Sequence, residues 1–250
     1  MAETQAHLLV KLVDTPAELE QAFRLRYQVF VEEAGNHRLF NKDKLEKDSY
    51  DLYCDHLIVK ELITGRVVGT YRLLPGNKAM QHGGFYSETE FDLTPLRSKA
   101  HEMLELGRSC IAPDYRDGKV LKLLWKGIGQ YLQENNFSYI VGCASLTTNG
   151  LEQTNIIYSM LKTHGLLKEE FGIQPLPTHR IKGLEILSVT CTEQELIRQL
   201  PPLIKGYYSL GAKMDGEPAF DPLFQTTDFF IILDVKKATR RFTKLLRSHE

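Results

Sequence analysis

The sequence predicts an α/β fold: a mixed, mostly antiparallel central sheet flanked by helices, with a C-terminal extension. Three observations carry this. Two apolar runs, His56 to Leu62 and Arg66 to Leu74, meet at Thr64-Gly65, a hairpin signal that sets neighbouring strands antiparallel. A strand-like run from Met103 to Ile111 is followed by a turn, a helical segment and a second strand run, so sheet direction is mixed. Helical periodicity lies both before the hairpin and after the last of these strands.

Each element follows in order. Thr15-Pro16-Ala17-Glu18 is a capping box with proline at the first helical position. It opens a helix to about Phe30 with Leu19, Ala22, Phe23 and Phe30 on one face. Residues 31–55 are polar and read as a long charged loop, a kind that is often functional. After the hairpin, residues 75–101 read as loop, with Gly83-Gly84 and Pro95. The turn at 113–118 leads into a helix from about Lys119 to Glu134, with Leu123, Leu124, Ile128, Tyr131 and Leu132 as its apolar positions. Phe137 to Leu146 is a strand and about 151–164 a helix. One helix is expected from Glu193 to Leu210, then strands near Gly211–Lys213 and Thr227–Leu233, and a C-terminal helix from Lys236. The whole, 1–250, is expected to be one domain, with a core at about 8–190 and an extension at about 191–250.

Composition narrows the function. Thirty-one Lys and Arg balance 32 Asp and Glu, which argues against a nucleic-acid binder; any basic surface must be local. Residues 1–7 carry no apolar signal-peptide core, and no apolar run approaches the ~20 residues of a membrane span. The four cysteines are widely spaced with no CxxC, so they read as reduced thiols of a cytoplasmic protein, with no metal site expected.

The informative stretch runs from Leu104 to Lys119. A strand ends in a glycine-containing turn and a helix begins at once. Free N–H groups at a helix N-terminus, with Gly118 for freedom and Arg116 for charge, make an anion cradle. The order is similar to the R/Q-x-x-G-x-G/A turn of GNAT acyltransferases, here Arg116-Asp117-Gly118-Lys119-Val120-Leu121, with the glycine displaced and a bulkier last residue. A less open cradle favours phosphopantetheine on acyl carrier protein over coenzyme A as donor.

Further segments sharpen the resemblance. They are Arg24 to Glu33, Asp48-Ser49-Tyr50-Asp51, Tyr53-Cys54-Asp55-His56-Leu57, Val68 to Leu74 and Glu105 to Cys110. Leu124 to Ile128, Gly142 to Leu146, Leu200 to Tyr207 and Thr226-Thr227-Asp228-Phe229 continue the series. Together they resemble ornithine-lipid-type (hemolysin-like) N-acyltransferases, related to homoserine-lactone autoinducer synthases, over about residues 8–243. The resemblance implies transfer of a (3-hydroxy) fatty acyl group from acyl carrier protein, or else acyl-coenzyme A, to the α-amine of an ornithine- or glycine-like amino acid. No bound cofactor is implied. Two other readings compete: an autoinducer synthase using S-adenosylmethionine, and a non-catalytic module that only holds acyl chains.

Amide formation requires a base for the amine proton. Glu105, enclosed by Leu104 and Leu106, is the candidate, since desolvation raises a carboxyl pKa toward a useful range. The bland alternative is an ion pair with Arg108 or Arg72. Arg72 and Arg108 grip the acceptor carboxylate or lock the acidic loop through Asp48, Asp51 and Glu105, two readings that do not exclude each other. Asp48 and Asp51 either bind a cationic acceptor side chain or belong to a solvated loop. Arg24 is placed with the acceptor-binding group. An oxyanion donor is expected from backbone N–H near Cys110 and Ile111, and Ser145 is placed against the pantetheine arm. Lys119, Lys122 and Lys126 share a helix face suited to docking acidic carrier protein, or are plain solvated lysines. The basic segment 236–247 either rests on the anionic inner membrane surface or packs on the domain.

Overall fold

The computed structural model describes residues 7–190 and 192–238. The elements in chain order are β1 (Leu8–Leu12), α1 (Pro16–Tyr27), β2 (Asp55–Glu61), β3 (Val67–Pro75), α2 (Gly76–Gln81), β4 (Phe91–Asp92) and β5 (Met103–Ile111). There follow α3 (Lys119–Asn135), β6 (Tyr139–Leu146), α4 (Leu151–Thr163), β7 (Leu167–Lys168) and β8 (Gln174–Pro175). The chain continues through α5 (Glu193–Gln199), α6 (Pro202–Leu210), β9 (Lys213–Asp215), β10 (Ala219–Asp221) and β11 (Thr226–Asp234).

The main sheet runs β1-β2-β3-β5-β6-β11-β9-β7, with β10 also paired to β11. Among the described residues, only the β5–β6 and β7–β9 pairs are parallel. The mixed, mostly antiparallel sheet flanked by helices is the expected architecture. Alternation along β11 sends Phe229, Ile231 and Leu233 into one apolar core and Phe230 and Ile232 into another. Helix α3 buries Val120, Leu124 and Ile128 in the first of these. Gly127 lets it approach the sheet closely, since a Cβ there would lie 2.8 Å from side-chain carbons of Leu57 and Val10.

Several expectations change in detail. Thr15 does cap α1, accepting from Glu18 N–H at 3.2 Å, but the helix widens into a π-helical turn over Gln28–Glu33. The segment 31–55 is braced by short 3₁₀ turns at His37–Leu39 and Ser49–Leu52. Likewise 75–101 is not plain loop; it holds α2, β4 and 3₁₀ turns at Tyr86–Thr89 and Thr94–Glu102. The helix expected over Glu193–Leu210 is two helices. Leu200 and Pro201 are extended, with ψ of 145° and 152°, because a proline disfavours helical geometry in the residue before it. The strand expected near Gly211–Lys213 starts at Lys213, as Gly211 caps α6 in the left-handed region. Where the C-terminal helix is expected from Lys236, the chain makes a 3₁₀ turn at Val235–Lys237 that ends at the extended Ala238; from residue 239 on the expected helix lies outside the described residues.

Candidate active site

The parallel strands β5 and β6 pair only from Met103–Tyr139 to Glu105–Val141. Beyond that point they diverge, β5 on to Ile111 and β6 to Leu146. Gly142 sits at the fork, where a Cβ would lie 2.4 Å from the Leu106 carbonyl oxygen. Into the opening fits a cavity of about 380 Å³, within the usual size of a small-molecule site. Val29 and Phe30 of the π-helical turn line it, as do Pro201, Leu203, Ile204 and Tyr207 at α6. Tyr207 is anchored by a 2.7 Å hydroxyl contact to Tyr71 and an edge-to-face contact with Trp125. The C-terminal extension therefore supplies one wall.

A β-bulge shapes the floor. Thr70 faces Cys110 but Arg72 faces Gly107, so Arg108 and Ser109 together oppose Tyr71. Arg108 takes a positive φ of 49°, uncommon for a residue with a side chain. Gly107, Arg108 and Ser109 all line the cavity. The bulged residues thus line the cavity, and Cys110 and Ile111 are not among the lining residues. Cys110 is paired to Thr70 and buried in the core.

Behind the floor lies a closed ion-pair network. Arg26, fully buried, donates to Glu46 at 2.5 Å and to Asp51 at 2.8 and 3.1 Å. Arg72 donates to Asp48 at 2.7 Å and Asp51 at 3.3 Å. Arg108 donates to Glu46 at 3.0 Å and Asp48 at 2.9 Å. Three guanidinium groups thus meet three carboxylates. The Arg108 cation also lies 4.6 Å from the ring centroids of both Tyr86 and Phe224.

Glu105 is outside that network. Its carboxylate accepts from Tyr86 N–H (2.7 Å), Ser87 N–H (2.8 Å) and Ser87 Oγ–H (2.5 Å). Burial pushes its pKa up, while those donors hold it back. The same 3₁₀ turn leads to Glu90. One carboxylate oxygen each of Glu90 and Asp228, and Cys143 Sγ, lie within 4.8 Å of one another. Asp228 accepts from Ser145 Oγ–H at 3.0 Å through Oδ2 only. Both Glu90 oxygens and Asp228 Oδ1 are buried with no hydrogen-bond partner. Burial, and then the Asp228 charge, push Glu90 far above the ordinary carboxylate range; burial and the Asp221 charge likewise raise Asp228.

A stability consequence follows. A carboxyl whose pKa is raised by folding binds more protons folded than unfolded, so stability falls as pH rises. The window opens near the ordinary glutamate value of about 4.3 and extends upward through neutrality. Glu90→Gln is expected to flatten this decline, by up to about 1.4 kcal/mol per pH unit, in chemical denaturation of the ligand-free protein between pH 5 and 8. An unchanged pH slope would show that Glu90 is ionised alike in both states.

The other predicted site residues divide. Arg72, Glu105, Arg108 and Ser145 line the cavity. Asp48 and Asp51 stand behind it, engaged by the arginines: the ion pairs of the locking reading are present, without Glu105, and Asp51 is buried rather than part of a solvated loop. Arg24 does not join them. It is exposed and paired with Glu20, while Arg26, two residues on, points inward. Ile111, Arg116, Gly118 and Lys119 are not among the lining residues. Arg116 grips Glu33 at 2.5 and 2.7 Å and donates to the Ile111 carbonyl at 3.0 Å, and Lys119 pairs with Asp117 at 3.1 Å. Gly118 does cap α3 with φ of 91°. Lys122 is exposed on α3 and Lys126 half-buried. Of the basic segment 236–247, only Lys236, Lys237 and Ala238 are described. Among the described residues, no helix is long and apolar enough to cross a membrane.

Comparison with known proteins decides the family. Residues 25–126 match the acetyltransferase (GNAT) domain. L-ornithine N(alpha)-acyltransferase of Rhizobium meliloti (strain 1021) is 34% identical, covering 95% of this chain and 83% of its own. That of Brucella abortus (strain 2308) is 31% identical, covering 94% and 87%. The chain belongs to the L-ornithine N(alpha)-acyltransferase family. It is an acyltransferase with the GNAT fold. Among solved structures, a CoA-dependent acyl-homoserine lactone synthase with SAM and isopentyl-CoA shares the fold, at a TM-score of 0.54 and 17% identity, covering 97% of this chain and 89% of that one.

Proposed function

We propose that this protein transfers a fatty acyl group from a phosphopantetheine thioester, carried by acyl carrier protein, to the α-amine of ornithine. The observation that carries this reading is the cavity at the fork. Its walls at Val29, Phe30, Leu203 and Ile204 are apolar and suit an acyl chain, and Glu105, Asp221 and Asp228 make an anionic end that suits a diamino acid.

The chemistry is direct attack. The neutral α-amine adds to the thioester carbonyl, and the oxygen that gains charge faces the bulge at Gly107–Ser109. The N–C bond forms, the C–S bond breaks, and the amine proton passes to Glu105 and on to the departing thiolate. Oε2 of Glu105 accepts one hydrogen bond, from Tyr86, and retains a lone pair for the amine. Cys143 is a poor nucleophile here. Burial pushes its thiol well up, and its S–H donates to Ser87 Oγ at 3.4 Å. Exposed Lys119 and Lys122 on α3 suit an acidic carrier.

Mass spectrometry tests the reading. Purified protein is mixed with 3-hydroxy long-chain acyl carrier protein and a pool of amino acids including ornithine and glycine. The expected result is free-thiol carrier and Nα-acyl ornithine with its δ-amine unmodified. Turnover only with acyl-coenzyme A overturns the donor, turnover only with S-adenosylmethionine overturns the acceptor, and no N-acyl product overturns the reading.

A further inference from the structure

We propose that Glu90 and Asp228, supported by the charge of Asp221, hold the distal ammonium of the acceptor, so that the choice of a diamino acid over a neutral one is made there. This deepens the ornithine reading and rests on it. The first observation is the charge balance. Arg26, Arg72 and Arg108 are matched by Glu46, Asp48 and Asp51, and neither Glu90 nor Asp228 has a salt bridge to any of the three. Two buried carboxyls in contact, without a cation, are costly unless a proton or a ligand intervenes.

The second observation is which atoms are unsatisfied. Glu90 and Asp228 are 2% and 3% exposed. Among the described residues, Glu90 Oε1 and Oε2 and Asp228 Oδ1 meet no donor in hydrogen-bond geometry, although the Thr226 hydroxyl lies near enough to favour the Asp228 carboxylate. Buried polar atoms are rarely left so unless a ligand supplies the partner. Three carboxylate acceptors match the three N–H donors of an alkylammonium. Asp228, Thr226 and Cys143 line the cavity; Glu90 is not among the lining residues, but one of its carboxylate oxygens lies within 4.8 Å of an Asp228 oxygen and of Cys143 Sγ.

The third observation is how the pair is held. Glu105 bonds the 86–87 backbone, and the turn it fixes delivers Glu90 three residues later. Asp228 is held by Ser145 from the neighbouring strand. Asp221 accepts from the N–H groups of Leu223 and Phe224, which sets Phe224 against Arg108.

The test compares ornithine with norvaline, which has the same carbon chain without the terminal amine. Nα-acylation of each is measured for the parent, Glu90→Gln and Asp228→Asn. The parent is expected to prefer ornithine in kcat/KM by at least ~100-fold, since a site built to bond a polar group strongly rejects the analogue lacking it. In both variants the ratio is expected to collapse to within about 10-fold, chiefly through a higher KM for ornithine. Thermal melting confirms that each variant is folded. A ratio unchanged in either folded variant overturns the subsite while leaving ornithine acylation standing. No acylation of any amino acid by the parent overturns the ornithine reading instead. A parent preference lost to chelator and restored by zinc would assign the pair to a metal and also overturn the proposal.

Discussion

Glu105→Gln is expected to lower kcat by about 10²- to 10⁴-fold, the range for loss of a positioned general base, while leaving KM for the thioester little changed. The substitution separates two jobs that one carboxylate does. The glutamine carbonyl can stand in for Oε1 and still accept from Ser87 N–H and the Ser87 hydroxyl, while its NH₂ in place of Oε2 loses only the acceptor for Tyr86 N–H, so most of the cavity wall's support stays. Its amide takes no proton. Because burial raises the Glu105 pKa, the parent rate is expected to rise with pH through that raised value and then level off. The variant loses that limb. Glu105→Ala goes further, removing the acceptor for Tyr86 N–H, Ser87 N–H and the Ser87 hydroxyl, and is expected to lose stability as well as rate. Single-turnover acylation with each variant over a pH series, beside a melting curve, is the measurement. A glutamine variant within threefold of the parent, with an unshifted pH profile, would leave Glu105 as a holder of the turn only.

The sequence was most readable where a residue's role is local. The hairpin at Thr64-Gly65, the strand at Met103–Ile111, the amphipathic α3 and the Thr15 cap all declare themselves through neighbours a few residues away. Glu105, Arg72 and Arg108 stood out as charges within apolar strands, and all three line the cavity. What failed to show depends on distance. Arg24 and Arg26 differ only in which way a helix turns them, and the partners of Arg26, Glu46 and Asp51, lie 20 and 25 residues on. Arg116 looked unpaired because Glu33, 83 residues earlier, cannot be seen beside it in the sequence. Glu90 lies in a stretch read as loop, and nothing local says that it is buried. Asp228 did leave a signal, an acid placed immediately before Phe229-Phe230-Ile231-Ile232. Its significance rests on Glu90 and Cys143, brought together only by the sheet.

That distance argument makes its own forecast about Arg26. Arg26→Ala is expected to destabilise the protein by about 3–5 kcal/mol, because it strands Glu46 and Asp51 as buried charges rather than merely removing an attraction. Arg24→Ala is expected to cost no more than ~1 kcal/mol, since its pair with Glu20 is exposed and screened. Two arginines two residues apart thus separate burial from charge. Acid should reproduce part of the Arg26 effect. Burial alone would raise Asp51, but Arg26 and Arg72 beside it bring it down to about 2. A carboxylate with a lowered folded pKa stabilises the fold above its unfolded value of about 3.9, and that stability is lost as pH falls through the folded value. Urea denaturation of the parent and both variants at pH 7 and in the acid range tests both claims. If Arg26→Ala melts like Arg24→Ala, the network is not what holds the 31–55 segment against the sheet. The floor under Arg72 and Arg108 would then have to be fixed by the ring contacts of Tyr50, Tyr86 and Phe224 instead.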